Sequence, residues 1–336
     1  MAAALLPERI LRQLDDLWVS LAGQGSGEGA GVLRACAMTL IVLTPRSAEE
    51  ALGETLGALM LEHPSRLVLL ELDAAAPCPV DASVTARCWM PFGVRQQICC
   101  EQIVITAAAV EHLTGLTGAL LAPDLPVVMW CRDPDLIQPH QAHPLVKLAD
   151  KIIVNTGGAR AASMLPLLCR LRSEGSIVAD LSWTRLTRWR AAIAQLFAAP
   201  SRRRLAPKAG AVTVRHYGAE APVRALYLGA WIVECLGGGS RLALQASRSA
   251  PCRPEGEVAG VTIEGEDLSV SIDQTGGETV EIRAGGLSRR TVFPELNEYQ
   301  LLREELSIEG RDTVYEAALD RAALLAGCTP PAAAPA

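Results

Sequence analysis

Five short stretches, Ala35 to Leu43, Arg66 to Leu72, Val127 to Trp130, Lys151 to Val154 and Ile177 to Ala179, are apolar almost without interruption. An alternating strand keeps one face wet, whereas a continuous one must be covered on both faces, as a parallel sheet between helices is. The intervening text supplies those helices: Ala48 to Glu62, ended by Pro64, then Val110 to Leu121, Leu145 to Ala149 and Ala159 to Leu171. Ser83 to Met90 and Gln97 to Thr106 read as a hairpin turning through Pro91, Phe92 and Gly93. The expected first domain is therefore α/β, a mostly parallel three-layer sheet of Rossmann-like kind.

Further along, the Pro- and Arg-rich text from 200 to 210 predicts a domain boundary. Pro222 opens a helix from Val223 to Leu236, closed by three glycines. Four strand candidates follow, Arg241 to Ala246, Gly256 to Glu264, Leu268 to Asp273 and Thr279 to Arg283, whose short polar turns predict an antiparallel meander. Helices from Leu296 to Ile308 and from Thr313 to Leu325 finish it, the latter with Thr313 and Glu316 as a capping box. The expected organisation is an N-terminal helix and Gly-rich linker over 1–31, an α/β domain over 32–199, a smaller α+β domain over 211–327 and a disordered tail over 328–336.

With 336 residues, half of them apolar, the chain can bury a large core, and its net charge of -6 argues against a general nucleic-acid binder. The beginning lacks a cationic leader, and the longest apolar run is too short to span a bilayer, so a cytoplasmic protein without membrane contact is expected. Ten scattered cysteines in such a setting are expected as reduced thiols. A loose G-x-G-x-x-A match from Gly25 precedes a strand instead of following one, which makes it linker. There is no G-x-S-x-G elbow, Walker loop, HExxH or CxxC. Cys131, His140 and His143 follow the central strand, but their spacing does not define a metal site. Cys99 and Cys100 lie in a strand, where one thiol is expected inside and the other accessible. Ordinary strand cysteines and redox candidates are the two readings.

The stretch Asp180 to Arg190, DLSWTRLTRWR, joins a strand directly to a helix that Asp180 or Ser182 can cap. Helical spacing puts Trp183, Leu186, Trp189, Ile193, Leu196 and Phe197 on one face, with Arg185 and Arg188 flanking it and Arg190 inside the stripe. There Arg190 must pair with an acid such as Asp180 or meet a partner. No Asp or Glu occurs from Leu181 to Ala219, while Arg202, Arg203 and Arg204 extend the cationic run. Trp183, Arg185, Arg188, Trp189, Arg190, Arg202, Arg203 and Arg204 are the partner-binding candidates, since tryptophan and arginine dominate interface energetics.

Seven stretches together resemble one family: HPSRLVLL at 63–70, QICCEQIVI at 97–105, APDLPVVMW at 122–130, ADKIIVN at 149–155, DLSWTRLTRWR at 180–190, YLGAWIVECLG at 227–237 and EELSIEGRDTVYEAAL at 304–319. The chain is similar to the glucose-6-phosphate dehydrogenase assembly proteins known as OpcA, though Cys131 stands where relatives commonly have a second tryptophan. The resemblance implies a protein that is not an enzyme and has no catalytic residues or cofactor of its own. It implies a cytoplasmic partner, glucose-6-phosphate dehydrogenase, whose assembly or activation it promotes as an allosteric activator, with NADPH supply through the pentose phosphate pathway as the output. It also gives a reason to consider Cys99 and Cys100 as redox candidates. Self-association is left open. The alternative reading is an enzyme or sensor that binds a sugar phosphate or nucleotide on its α/β sheet.

Overall fold

Strands buried on both faces and helices with one apolar stripe satisfy each other only in layers. The computed structural model describes residues 7–24, 32–46, 49–90, 97–138, 140–158, 161–247 and 254–328, and divides into two compact units, 1–154 and 155–336. Most of the Gly-rich linker, the Pro91-Phe92-Gly93 turn and the tail beyond Cys328 lie outside the described residues.

The first unit runs α1 (Pro7–Gln24), β1 (Val32–Arg34), β2 (Met38–Pro45), α2 (Glu49–Glu62), β3 (Ser65–Leu72), β4 (Val80–Trp89), β5 (Gln97–Ala107), α3 (Thr114–Leu120), β6 (Val127–Cys131), α4 (His143–Val146) and β7 (Lys151–Val154). Its strands lie in the order β1-β5-β3-β2-β6-β7 and are parallel, with β4 antiparallel to β5 as the expected hairpin. The doubly wound parallel architecture read from the apolar runs is what the chain adopts. The strand expected from Ala35 begins only at Met38, and a separate short strand, β1, precedes it. Ala35 N–H donates to Cys99 O and Ala37 N–H to Pro64 O, so the chain leaves β5 at Arg34 and joins β3 from Met38 onward.

Both vicinal cysteines of β5 are buried, which corrects the expectation that one is accessible. Cys99 faces Cys88 directly across the hairpin and forms a disulfide with it, so these two are not the reduced thiols expected. Cys100 stays free, donates to Ala35 O at 3.3 Å, and has its pKa pushed up to about 11, chiefly by burial.

Beneath the hairpin, Glu101 is 3% exposed and collects three donors: Arg66 Nε at 2.6 Å, Trp18 Nε1 at 2.8 Å and the Arg34 guanidinium. Arg66 also donates to Leu120 O at 2.9 Å. One carboxylate thereby ties α1, β1, β3 and β5 together. Removing it strands a buried guanidinium, so Glu101→Ala should lower the local stability of β5 by about 3–5 kcal/mol, measured by native-state hydrogen exchange. A change below about 1 kcal/mol would show that the cluster contributes little to holding the sheet.

The second unit contains α5 (Ala161–Ser173), β8 (Ile177–Asp180), α6 (Leu181–Thr184), α7 (Thr187–Ala198), α8 (Pro200–Leu205), β9 (Ala209–His216), α9 (Val223–Cys235), β10 (Arg241–Ala246), β11 (Val258–Gly265), β12 (Leu268–Gly276), β13 (Thr279–Ala284), β14 (Leu287–Val292), α10 (Glu298–Leu306) and α11 (Thr313–Leu325). The boundary expected at 200–210 falls inside this unit, because the Arg-rich text forms α8 and a 3-10 turn that lead straight into β9. The expected meander is part of a larger sheet, β10-β9-β11-β12-β13-β14, in which β10 pairs parallel to β9 and only the later neighbours are antiparallel. Helix α9 is buried on nearly all sides, between α11 and the β9–β10 edge. Gly229 permits that approach, since a Cβ there would lie 2.7 Å from Leu242 Cδ1. The capping box expected at Thr313 is instead found one helix earlier, Asn297 with Gln300, and α11 is capped by Asp312.

Candidate partner-binding site

The stretch from Asp180 to Arg190 is organised by a carboxylate, not by its tryptophans. Asp180 ends β8, is fully buried, and caps α6 by accepting from Ser182 N–H at 2.8 Å. It also accepts from Thr156 N–H at 3.2 Å, Thr156 Oγ1 at 2.5 Å and Tyr227 Oη at 2.9 Å. Tyr315 Oη lies 3.3 Å from Tyr227 Oη and, with the Tyr227 proton directed at Asp180, acts as donor to it. Burial raises the pKa of Asp180, and these hydrogen bonds oppose the shift. Burial, together with the Asp180 carboxyl, raises both tyrosines well above their ordinary value and keeps their protons in place.

Around this network the aromatic face closes inward. Trp183 is 3% exposed, packs 6.2 Å from Tyr227 and 5.7 Å from Tyr315, and donates from Nε1 to Asp312 Oδ2 at 3.0 Å. Trp189 is 7% exposed and meets Phe293 edge-on at 5.2 Å. The two tryptophans expected on a docking face are thus packed inside their own unit.

The arginines divide into two groups. Arg190 does not pair with Asp180; its guanidinium stacks 3.7 Å above the Trp183 ring and donates to Thr187 Oγ1 at 3.2 Å. Burial lowers its pKa, offset by Asp312, Glu304 and Glu305. Arg185 donates to Leu296 O at 2.8 Å, and burial with the neighbouring Arg224 lowers its pKa. Arg202 donates from Nε to Leu196 O at 2.6 Å, satisfying a carbonyl at the end of α7. These three each make a contact inside the second unit. Arg188, Arg203 and Arg204 are exposed, and no acid among the described residues engages them. The structure therefore does not bring the eight candidates together as one surface.

Elsewhere, Cys131 is buried at the end of β6 with its thiol donating to Asp133 O at 3.0 Å, and no three His, Cys, Asp or Glu side chains converge among the described residues.

Family profiles for a glucose-6-phosphate dehydrogenase subunit match the chain twice, the profile of the N-terminal domain over residues 57–166 and that of the C-terminal domain over residues 176–319. The chain belongs to the OpcA family. It is 24% identical over 321 residues to a putative OxPP cycle protein OpcA of Synechocystis sp., covering 81% of this chain and 65% of that relative. It is 30% identical over 202 residues to the OpcA of Nostoc punctiforme, covering 57% and 40% respectively. The chain thus spans about two thirds or less of the length of these relatives. Among solved structures it is similar to an NAD binding oxidoreductase from Klebsiella pneumoniae at 11% identity and a TM-score of 0.50, over 87% of this chain and 96% of that one. That likeness shows the fold alone.

Within this OpcA-family chain, sequence reasoning missed Thr156, Tyr227, Tyr315, Asp312 and Phe293. A signal was present for one of them: Tyr227 carries a hydroxyl in a helix otherwise apolar on nearly every side, and such a group needs a buried partner.

Tyr227→Phe removes a donor from a buried carboxylate and should destabilise the second unit by about 1.5–3 kcal/mol, read from urea unfolding. The raised pKa of Asp180 means that the folded chain retains its proton to higher pH than the unfolded chain. Its contribution to stability is full below the unfolded carboxyl range and is lost as pH rises through the raised value. Asp180→Asn cannot titrate, so the stability of wild type minus variant should increase as pH falls from neutrality toward the ordinary carboxyl range. A difference independent of pH would contradict this assignment.

Proposed function

We propose that this chain is a non-catalytic protein that binds glucose-6-phosphate dehydrogenase and promotes its assembly or activation, supporting the oxidative branch of the pentose phosphate pathway. The observation that carries the reading is a stretch from Leu181 to Ala219 without one acid, in a chain of net charge -6, whose Arg188, Arg203 and Arg204 side chains are exposed and meet no acid among the described residues. Such charges steer a negatively charged protein surface and speed encounter. If the chain binds the active oligomer of the dehydrogenase more tightly than the inactive form, that difference in affinity is itself the activation. NADPH output rises because the partner is shifted to its active state.

Two features favour this reading over a sugar-phosphate or nucleotide enzyme or sensor. The sheet reverses its order at β2, flanked by β3 and β6, which is where such folds bind dinucleotides on a glycine-rich turn. Here the sequence after β2, Pro45, Arg46, Ser47, Ala48, contains no glycine. In the second unit, the pocket beside Arg185, Arg188, Trp189 and Phe293 has a volume of only about 40 Å³ and is also lined by Glu257 and Glu295, which suits neither the size nor the charge of a sugar phosphate or nucleotide.

The test is activity of the dehydrogenase from the same source, with light scattering on the mixture. Saturable activation with a shift to a larger species is expected. Absence of both at micromolar concentrations would end the proposal. Arg188→Glu with Arg204→Glu should slow association about tenfold and flatten its salt dependence; unchanged kinetics would remove steering by these residues.

A further inference from the structure

Helices α7, α8 and α9 line a groove of about 300 Å³ within the second unit. Its walls are Ile193, Ala194 and Phe197 on one side and Trp231, Ile232 and Leu236 on the other. Phe197, Trp231 and Leu236 are half-buried, and Ala194 and Ala198 are exposed. Large aromatic surfaces are thus left facing an open channel, where the hydrophobic effect favours covering them.

The groove has a charged edge of one sign. Arg203 lines it and Arg204 follows, both exposed and meeting no acid among the described residues. Among the described residues no acid lines it. Glu234, next to the rim residue Cys235 in the chain, is engaged by Arg321 Nε at 2.8 Å. Cys235 itself has its thiol pKa raised, chiefly by burial, and adds no negative charge.

We propose that this groove receives one segment of the dehydrogenase, a helix or extended piece that inserts one or two large apolar side chains and sets Asp or Glu against Arg203. This rests on the function proposed above and names the surface that performs it. An apolar anchor in a pocket with a charged rim is the usual layout of an energetic centre in an interface. The chain's own last residues, 329–336, contain only Ala, Pro and one Thr, and supply neither the anchor nor the acid. A second copy of the chain is the rival occupant, separated by experiment.

Ala194→Trp fills the groove from an exposed helical position, and Ala198→Glu places an acid at its edge without touching the core. With full-length chain and the dehydrogenase from the same source, Ala194→Trp should raise Kd by about 10- to 100-fold. Arg203→Glu should raise it by about 5- to 10-fold and weaken its dependence on salt. Thermal unfolding of each variant alone should match wild type; if Ala194→Trp unfolds early, Ala198→Glu supplies the reading. Should wild type itself fail to bind, the proposed function falls and this inference with it. Should wild type bind while all three variants bind equally well, the groove alone is refuted. Should the chain self-associate and the variants abolish that without affecting the dehydrogenase, a second copy occupies the groove and the proposed occupant is wrong.

Discussion

A carboxylate taken wholly out of water must be met by donors, and Asp180 meets that demand with two backbone amides, the Thr156 hydroxyl and the Tyr227 hydroxyl. These donors come from three different pieces of chain, so one buried acid fixes the loop after β7, the start of α6 and the middle of α9. Tyr315 extends the network to α11. The requirement is mutual. Without the acid, two phenols would sit deep in the core with little to bond, and without the phenols the acid would hold its proton even more tightly.

That constraint decides what the cationic stretch can do. Because Trp183 packs against the two tyrosines, Arg190 has an aromatic face to lie on. Arg185 and Arg202 are absorbed by the backbone carbonyls of Leu296 and Leu196. What remains facing water are the cations on the turns of α7 and α8 where nothing acidic among the described residues packs. The same stretch therefore contains both a scaffold and an unmatched surface, and residue type does not separate them.

The parallel sheet was legible because a strand buried on both faces leaves a continuous apolar run, and the caps at Asp180 and Pro222 were legible because helix starts have few chemical solutions. The strand β9 was not. Its text, AGAVTVRH, follows an Arg- and Pro-rich segment that reads as a linker, and only its pairing with β10 and β11 makes it central to the sheet. The inward turn of Trp183 and Trp189 was hidden for a related reason. Helical spacing places them on one face but says nothing of what covers that face, and the covering residues Tyr227, Phe293 and Tyr315 lie far along the chain. The disulfide escaped notice because Cys88 and Cys99 become neighbours only once the hairpin register is set.

A doubly wound sheet does not by itself commit a chain to binding a dinucleotide. A doubly wound sheet is stable by virtue of its covered apolar strands, and ligand binding is added by a few turn residues at its carboxyl edge. Having Pro45 and Arg46 there in place of glycines leaves the strands untouched, since β2 is held on both sides by β3 and β6. Function is then free to move to surfaces the sheet does not constrain. In the second unit, Arg188 on α7 and Arg203 and Arg204 on α8 are exposed. The function proposed above would require such exposed groups to interact differently with the two states of the partner, because only a difference in affinity shifts an equilibrium.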